Sequence, residues 1–189
     1  QGQCYPCDAI VNNVVSEYNG LGYSGTNSGG SLYITSSIFR NNKGGLAPNT
    51  LDSELLPPER ETFIIGHLIE NNNNYNSPAT NSTYLSYGNG VVIAGGNNNI
   101  IKNNVIVDHD LYGVILTASM DVNYWPAHGN RVEENLILSS RKADIAVSGV
   151  SNLANCFEGN YFNTSIPPGL QALNGCLLYT SDAADECDS

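Results

Sequence analysis

Residues 101–106 read I-K-N-N-V-I and residues 132–137 read V-E-E-N-L-I. Both follow one frame: an apolar residue, two free positions, an asparagine, then two apolar residues. The frame recurs as I-V-N-N-V-V from Ile10, I-T-S-S-I-F from Ile34, I-I-G-H-L-I from Ile64 and F-E-G-N-Y-F from Phe157. Its Asn-like positions are Asn13, Ser37, His67, Asn104, Asn135 and Asn160, at spacings of 24, 30, 37, 31 and 25 residues. Self-similarity at a period of about 20–50 residues marks a repeat architecture, in which no unit buries its apolar face alone.

The columns of the frame supply the physics. Three residues before the Asn-like position stand Ile10, Ile34, Ile64, Ile101, Val132 and Phe157; two residues after stand Val15, Phe39, Ile69, Ile106, Ile137 and Phe162. Every member is apolar. If coils stack at the strand spacing of about 4.8 Å, like residues pile into continuous aliphatic ladders. An Asn column inside such a stack satisfies itself, each amide bonding its own copy in the next coil. Ser37 and His67 have hydrogen-bonding groups that fit the same column.

A second strand follows each frame, as in G-V-V-I from Gly90, G-V-I-L from Gly113 and D-I-A-V from Asp144. Asn72, His109 and Ser140 precede it at one equivalent position. The expectation is an all-β, right-handed parallel β-helix, a solenoid of about six coils over residues 1–175, truncated at both ends and continued by N- and C-terminal coils of the same protein. The repeat resembles those of the pectate-lyase-like superfamily, and is similar to a secreted bacterial group that includes copper-maturation proteins of the NosD type. That resemblance implies an extracellular or cell-envelope location and a module that binds or processes polysaccharide. The fold also hosts non-catalytic structural or adhesion solenoids and envelope accessory proteins of the NosD type, so fold alone does not choose.

Composition narrows the partners. Seven Lys and Arg stand against 18 Asp and Glu, for a net charge of -11. A nucleic-acid binder needs a basic face to neutralise phosphates, so none is expected. No run approaches the roughly 18 apolar residues of a membrane span. The stretch from Cys176 to Ser189, C-L-L-Y-T-S-D-A-A-D-E-C-D-S, resembles the conceptual translation of a transposase-type sequencing adapter and is read as a non-native tail at 176–189. Without its four acidic residues the chain keeps 14 acidic and 7 basic residues, net −7.

Three insertions interrupt the coils: Pro48–Glu61, Asn73–Tyr87 and Thr117–Gly129. Long loops on a rigid scaffold are where function concentrates, although padding of the solenoid flank is the plainer use. Tyr124 and Trp125 are candidates for stacking on a sugar face, or for covering a strand edge. Asp108, His109 and Asp110, with Arg141 one coil away, form the nearest thing to a lyase constellation: two carboxylates that could hold calcium and an arginine for an acidic sugar. The alternative is a polar turn with His109 in the second Asn column. The two carboxylates of a glycoside hydrolase have no fixed spacing here. No cofactor is evident beyond that calcium, and no other metal is expected: copper needs converging His, Cys or Met ligands, and the three His and one Met are scattered. Cys4 and Cys7, in C-Y-P-C, read as a local disulfide or coil clamp, because no thioredoxin-like unit follows. Cys156 reads as a core thiol or the partner of a missing segment. Asn81 and Asn163 open N-x-S/T sequons.

Overall fold

A computed structural model describes residues 4–78, 86–149 and 154–176. The first coil is β1 (Ala9–Asn12), β2 (Val15–Glu17) and β3 (Leu21–Thr26). The second is β4 (Gly29–Thr35), β5 (Ile38–Arg40) and β6 (Gly44–Asn49), and the third β7 (Arg60–Ile65), β8 (Leu68–Glu70) and β9 (Val91–Ala94). The fourth is β10 (Ile100–Lys102), β11 (Val105–Val107) and β12 (Tyr112–Thr117). A short hairpin, β13 (Ser119–Met120) and β14 (Tyr124–Trp125), separates it from the fifth coil, β15 (Arg131–Glu133), β16 (Leu136–Leu138) and β17 (Ala143–Ser148). The sixth is β18 (Cys156–Glu158), β19 (Tyr161–Phe162) and β20 (Ser165–Ile166), followed by the helix α1 (Leu170–Leu173).

Like strands pair in parallel from coil to coil. They form three six-stranded sheets, β1-β4-β7-β10-β15-β18, β2-β5-β8-β11-β16-β19 and β3-β6-β9-β12-β17-β20. This is a parallel β-helix of six coils. Ile34, Ile64, Ile101, Val132 and Phe157 stack from the first sheet, Phe39, Ile69, Ile106 and Ile137 from the second, and Leu46, Val91, Val114 and Ile145 from the third, all in one buried core. Full burial of such a side chain stabilises by about 1.5–3 kcal/mol, so the interior is held by many equal contributions.

The first coil departs from the expected register by one residue. Val11, not Ile10, pairs with Ile34, and Val15 pairs with Ile38 rather than Phe39. Ile10 and Val15 are 72% and 56% exposed. Asn13 therefore lies outside the Asn ladder, and Val14 takes its rung by donating its backbone N–H to Ser37 Oγ at 3.0 Å. Asn13 instead joins a turn column with Ser36, Gly66, Asn103, Glu134 and Gly159, all at positive φ, a conformation that Asn and Gly tolerate best.

From Ser37 onward the ladder runs through the expected residues. The backbone N–H of Ser37 donates to His67 Nδ1, that of His67 to Asn104 Oδ1, that of Asn104 to Asn135 Oδ1 and that of Asn135 to Asn160 Oδ1, at 2.9–3.0 Å. Each Asn Nδ2 also donates back, as Asn104 does to Ile64 O and Asn135 to Ile101 O. Since Nδ1 of His67 accepts, its Nε2 carries the proton and donates to Ile34 O at 2.9 Å, and burial lowers the pKa of the ring. The second column extends past Asn72 and His109 to Asn42 and Asn19. A third, of Asn99, Asn130 and Asn155, runs below β10, β15 and β18.

Helix α1 covers the sixth coil. Leu170 is fully buried in the core, and Phe157 N–H donates to Asn174 O. Gln171 Oε1 accepts from both N and Nδ2 of Asn160 at 3.0 and 2.9 Å, which is the geometry of one more rung. Two disulfides are present, Cys4–Cys7 and Cys156–Cys176. Cys156 thus pairs within the chain, with a residue the sequence reading places at the start of the tail.

Candidate functional site

The outward residues of the third sheet alternate with its core residues and form two ranks. Register places Ser24, Ala47, Val92, Ile115 and Ala146 in one rank, and Thr26, Asn49, Ala94, Thr117 and Ser148 in the next. Between the first and fourth coils these ranks floor a groove of about 1050 Å³. One wall carries Ser86, Asn89, Leu111 and Tyr112, and the other Leu51, Ala118, Ser119 and Met120. Val92 and Ile115 belong to a small apolar cluster with Ala146, apart from the core. The result is a flat aliphatic floor between hydroxyl, phenol and amide groups.

Close backbone approach flattens the floor at its edge. Gly22, Gly45, Gly90 and Gly113 stack where the chain enters the third sheet, and a Cβ on Gly45 would lie 2.0 Å from Gly90 O. Only glycine fits there.

The second wall is braced by the insertions. Ser119 Oγ donates to Thr50 O at 2.7 Å, and Asp52 N–H to Asp121 Oδ2 at 2.9 Å. Asp52 in turn accepts from N and Nδ2 of Asn123 at 2.6 and 2.7 Å and from Trp125 Nε1 at 3.1 Å. These donors, Asn123 foremost, hold its carboxyl below the usual range. Trp125 thereby fastens one loop to another and does not line the groove. Tyr124 is 42% exposed beside it. The structure does not present this pair as an open platform of two free rings, because the indole edge is engaged and the Trp125 Cβ packs over Gly95.

The lyase candidates occupy one turn without converging. His109 points inward and is 2% exposed. Burial pushes its pKa down to about 3, against a smaller opposing effect of Asp110. It stays neutral inside the second ladder and cannot reach a substrate. Asp110 accepts from Tyr87 O–H at 2.9 Å. Asp108 is exposed in a left-handed turn at φ 60. Arg141 is exposed on the next coil, its backbone N–H donating to His109 O, and no ion pair within 4.0 Å joins it to Asp110 among the described residues. The one described group of three metal-ligating side chains is Glu133, Cys156 and Cys176. Both of its cysteines are spent in a disulfide, so the sulfurs offer no thiolates. Asp108 and Asp110 do not form a described cluster of three.

Sequence reasoning passed over two features. Glu59 is fully buried, with Oε1 2.8 Å from Thr62 Oγ1 and Oε2 accepting from Asn99 Nδ2 at 2.8 Å. Burial pushes its carboxyl up to about 8, against the effects of Thr62, Asn99 and Arg60. It belongs to the interior, not to the groove. The groove itself was also overlooked. Its signal was the outward alternation in L-A-P-N, V-V-I-A and V-I-L-T, read only for its core residues.

Asn81 lies outside the described residues, while Asn163 is an exposed turn residue whose N–H donates to Asp144. No described helix is long and apolar enough to cross a membrane. No protein-family model matches the chain, and no curated protein matches it.

Proposed function

We propose that this β-helix is an extracellular or cell-envelope module that binds polysaccharide in the groove on its third sheet. One observation carries the reading: the flat aliphatic floor of Ala47, Val92, Ala94 and Ile115 lies between Thr26, Asn49, Asn89, Tyr112, Thr117 and Ser119. The CH faces of sugars pack on apolar surface while hydroxyls and amides bond their rims. The Cys4–Cys7 disulfide supports an oxidising compartment. The repeat's resemblance to pectate-lyase-like proteins points the same way. Binding is favoured over turnover, because His109 is sealed in the core and the remaining charged candidates do not converge.

The test is retention of the full chain on a panel of immobilised polysaccharides. The half-buried, outward Thr117→Arg obstructs the floor, and Met120→Asp places a charge on a rim residue that is 77% exposed. Loss of about tenfold or more in affinity, roughly 1.4 kcal/mol, with unchanged melting, supports the groove. Retention by no polysaccharide leaves the structural solenoid as the better reading.

A further inference from the structure

The distribution of charge over the three sheets discriminates between classes of glycan. On the outward face of the second sheet, Arg40 Nε lies 2.8 Å from Glu17 Oε2, with Glu70 Oε1 at 4.0 Å from its Nη1. On the first sheet, Lys102 Nζ sits 3.6 Å from Glu133 Oε2 and 3.4 Å from Glu134 Oε2, and Arg131 pairs with Glu133 as well. Cross-strand charge pairs thus mark two of the three outer faces. The groove on the third carries none: among the described residues that line it there is no Asp, Glu, Lys or Arg.

Lys142, the cation that touches a lining ring, is itself outside the lining. Its Nζ lies 4.9 Å from the centre of the Tyr112 ring, on the next coil. The anions flanking the walls, Asp110 and Asp52, are held by Tyr87 and by Asn123 and Trp125. The described lining itself offers a polyanion no counter-charge, and the chain it approaches is net negative, at -11. Like-charge approach is disfavoured and slows association.

Resting on the polysaccharide reading above, we infer that the groove selects an uncharged, ribbon-like glycan and rejects polyuronates. The polymer runs along the solenoid axis, across the strands, because the four lining strands β3, β6, β9 and β12 are successive rungs of one sheet. Their spacing gives a span of about 14 Å between the first and fourth rungs, room for a few sugar rings. The rungs bear outward side chains without long or charged arms, Ser24, Ala47, Val92 and Ile115, and so suit a flat face rather than a branched or kinked chain.

Affinity electrophoresis of the full chain, in gels containing either a linear neutral glucan or polygalacturonate, tests this. Retardation by the glucan is expected, unchanged by added salt because no ion pair is released on binding. Polygalacturonate is expected to leave the mobility unchanged. Thr117→Lys with Asn49→Lys should weaken the glucan interaction by about tenfold and create salt-sensitive retardation by polygalacturonate. Both positions face outward, and circular dichroism checks that the double variant folds. Stronger retardation of the unmodified chain by polygalacturonate than by glucan overturns this inference while leaving a polysaccharide site in place. Retardation by neither polymer overturns this inference, and retention on none of the polysaccharide panel overturns the polysaccharide reading as well.

Discussion

At the residue scale, Glu59 stands where other coils use a backbone carbonyl. Asn130 Nδ2 donates to Gly96 O and Asn155 Nδ2 to Ala127 O, whereas Asn99 Nδ2 donates to the Glu59 carboxyl. A side chain completes the third ladder where the insertion before β7 displaces the main chain. The folded protein holds the Glu59 proton up to about pH 8, while the unfolded chain releases it in the ordinary carboxylate range. Below that range both states are protonated and the full stability is present. As pH rises through the interval the unfolded state binds fewer protons, so stability falls, and the loss levels off above the folded value. Thermal melts should drop by several degrees between pH 5 and 8. Glu59→Gln, which keeps a neutral group of the same shape, should flatten that slope and melt higher at pH 8. An unchanged slope in the variant would place the effect elsewhere.

At the element scale, α1 acts as a surrogate coil. Gln171 gives Asn160 the acceptor that a following asparagine would give, and Leu170 fills the core above Phe157. Gln171→Ala leaves the buried Asn160 amide without that acceptor, at a cost of about 1–3 kcal/mol, measured as a lower urea midpoint at unchanged slope. Gln171→Glu, which keeps an acceptor oxygen at the same reach, should lose less. A loss equal to that of alanine would mean that the acceptor oxygen is not what Gln171 contributes. The groove wall follows the same logic: two insertions become one rigid edge because Asp52 collects donors from Asn123 and Trp125.

At the scale of the whole molecule, the six-coil parallel solenoid was legible because its apolar columns and Asn rungs repeat in one frame. The first coil was misread for a physical reason. In I-V-N-N-V-V the apolar pair Ile10–Val11, the pair Asn12–Asn13 and the pair Val14–Val15 each fit two registers. The choice is made by tertiary contacts, with Cys7 N–H donating to Gly29 O and Gly30 O just before β1. The third Asn column was in plain view, five residues before the rungs at Asn104, Asn135 and Asn160, but its period merges with that of the ladder it accompanies. The candidate site was less legible. Charged and aromatic residues draw the eye in a sequence, and His109, Asp110 and Trp125 prove to be internal or fastening groups. The groove is built from alanine, valine, threonine and asparagine, which look like filler until alternation places them on one face.

The rungs also dictate how the molecule yields under tension. A force applied at the C-terminal end loads the last coil first, and each coil can release only after its amides let go of the coil before. Extension should therefore proceed in discrete lengths set by the separations between successive rungs, 25, 31, 37 and 30 residues from Asn160 back to Ser37. At roughly 3.3–3.6 Å per extended residue, optical-trap records should show jumps of about 80 to 130 Å. The longest should come third, when the coil carrying the Asn73–Tyr87 insertion uncoils. A single all-at-once rupture would mean that the stack fails as a block rather than winding by winding.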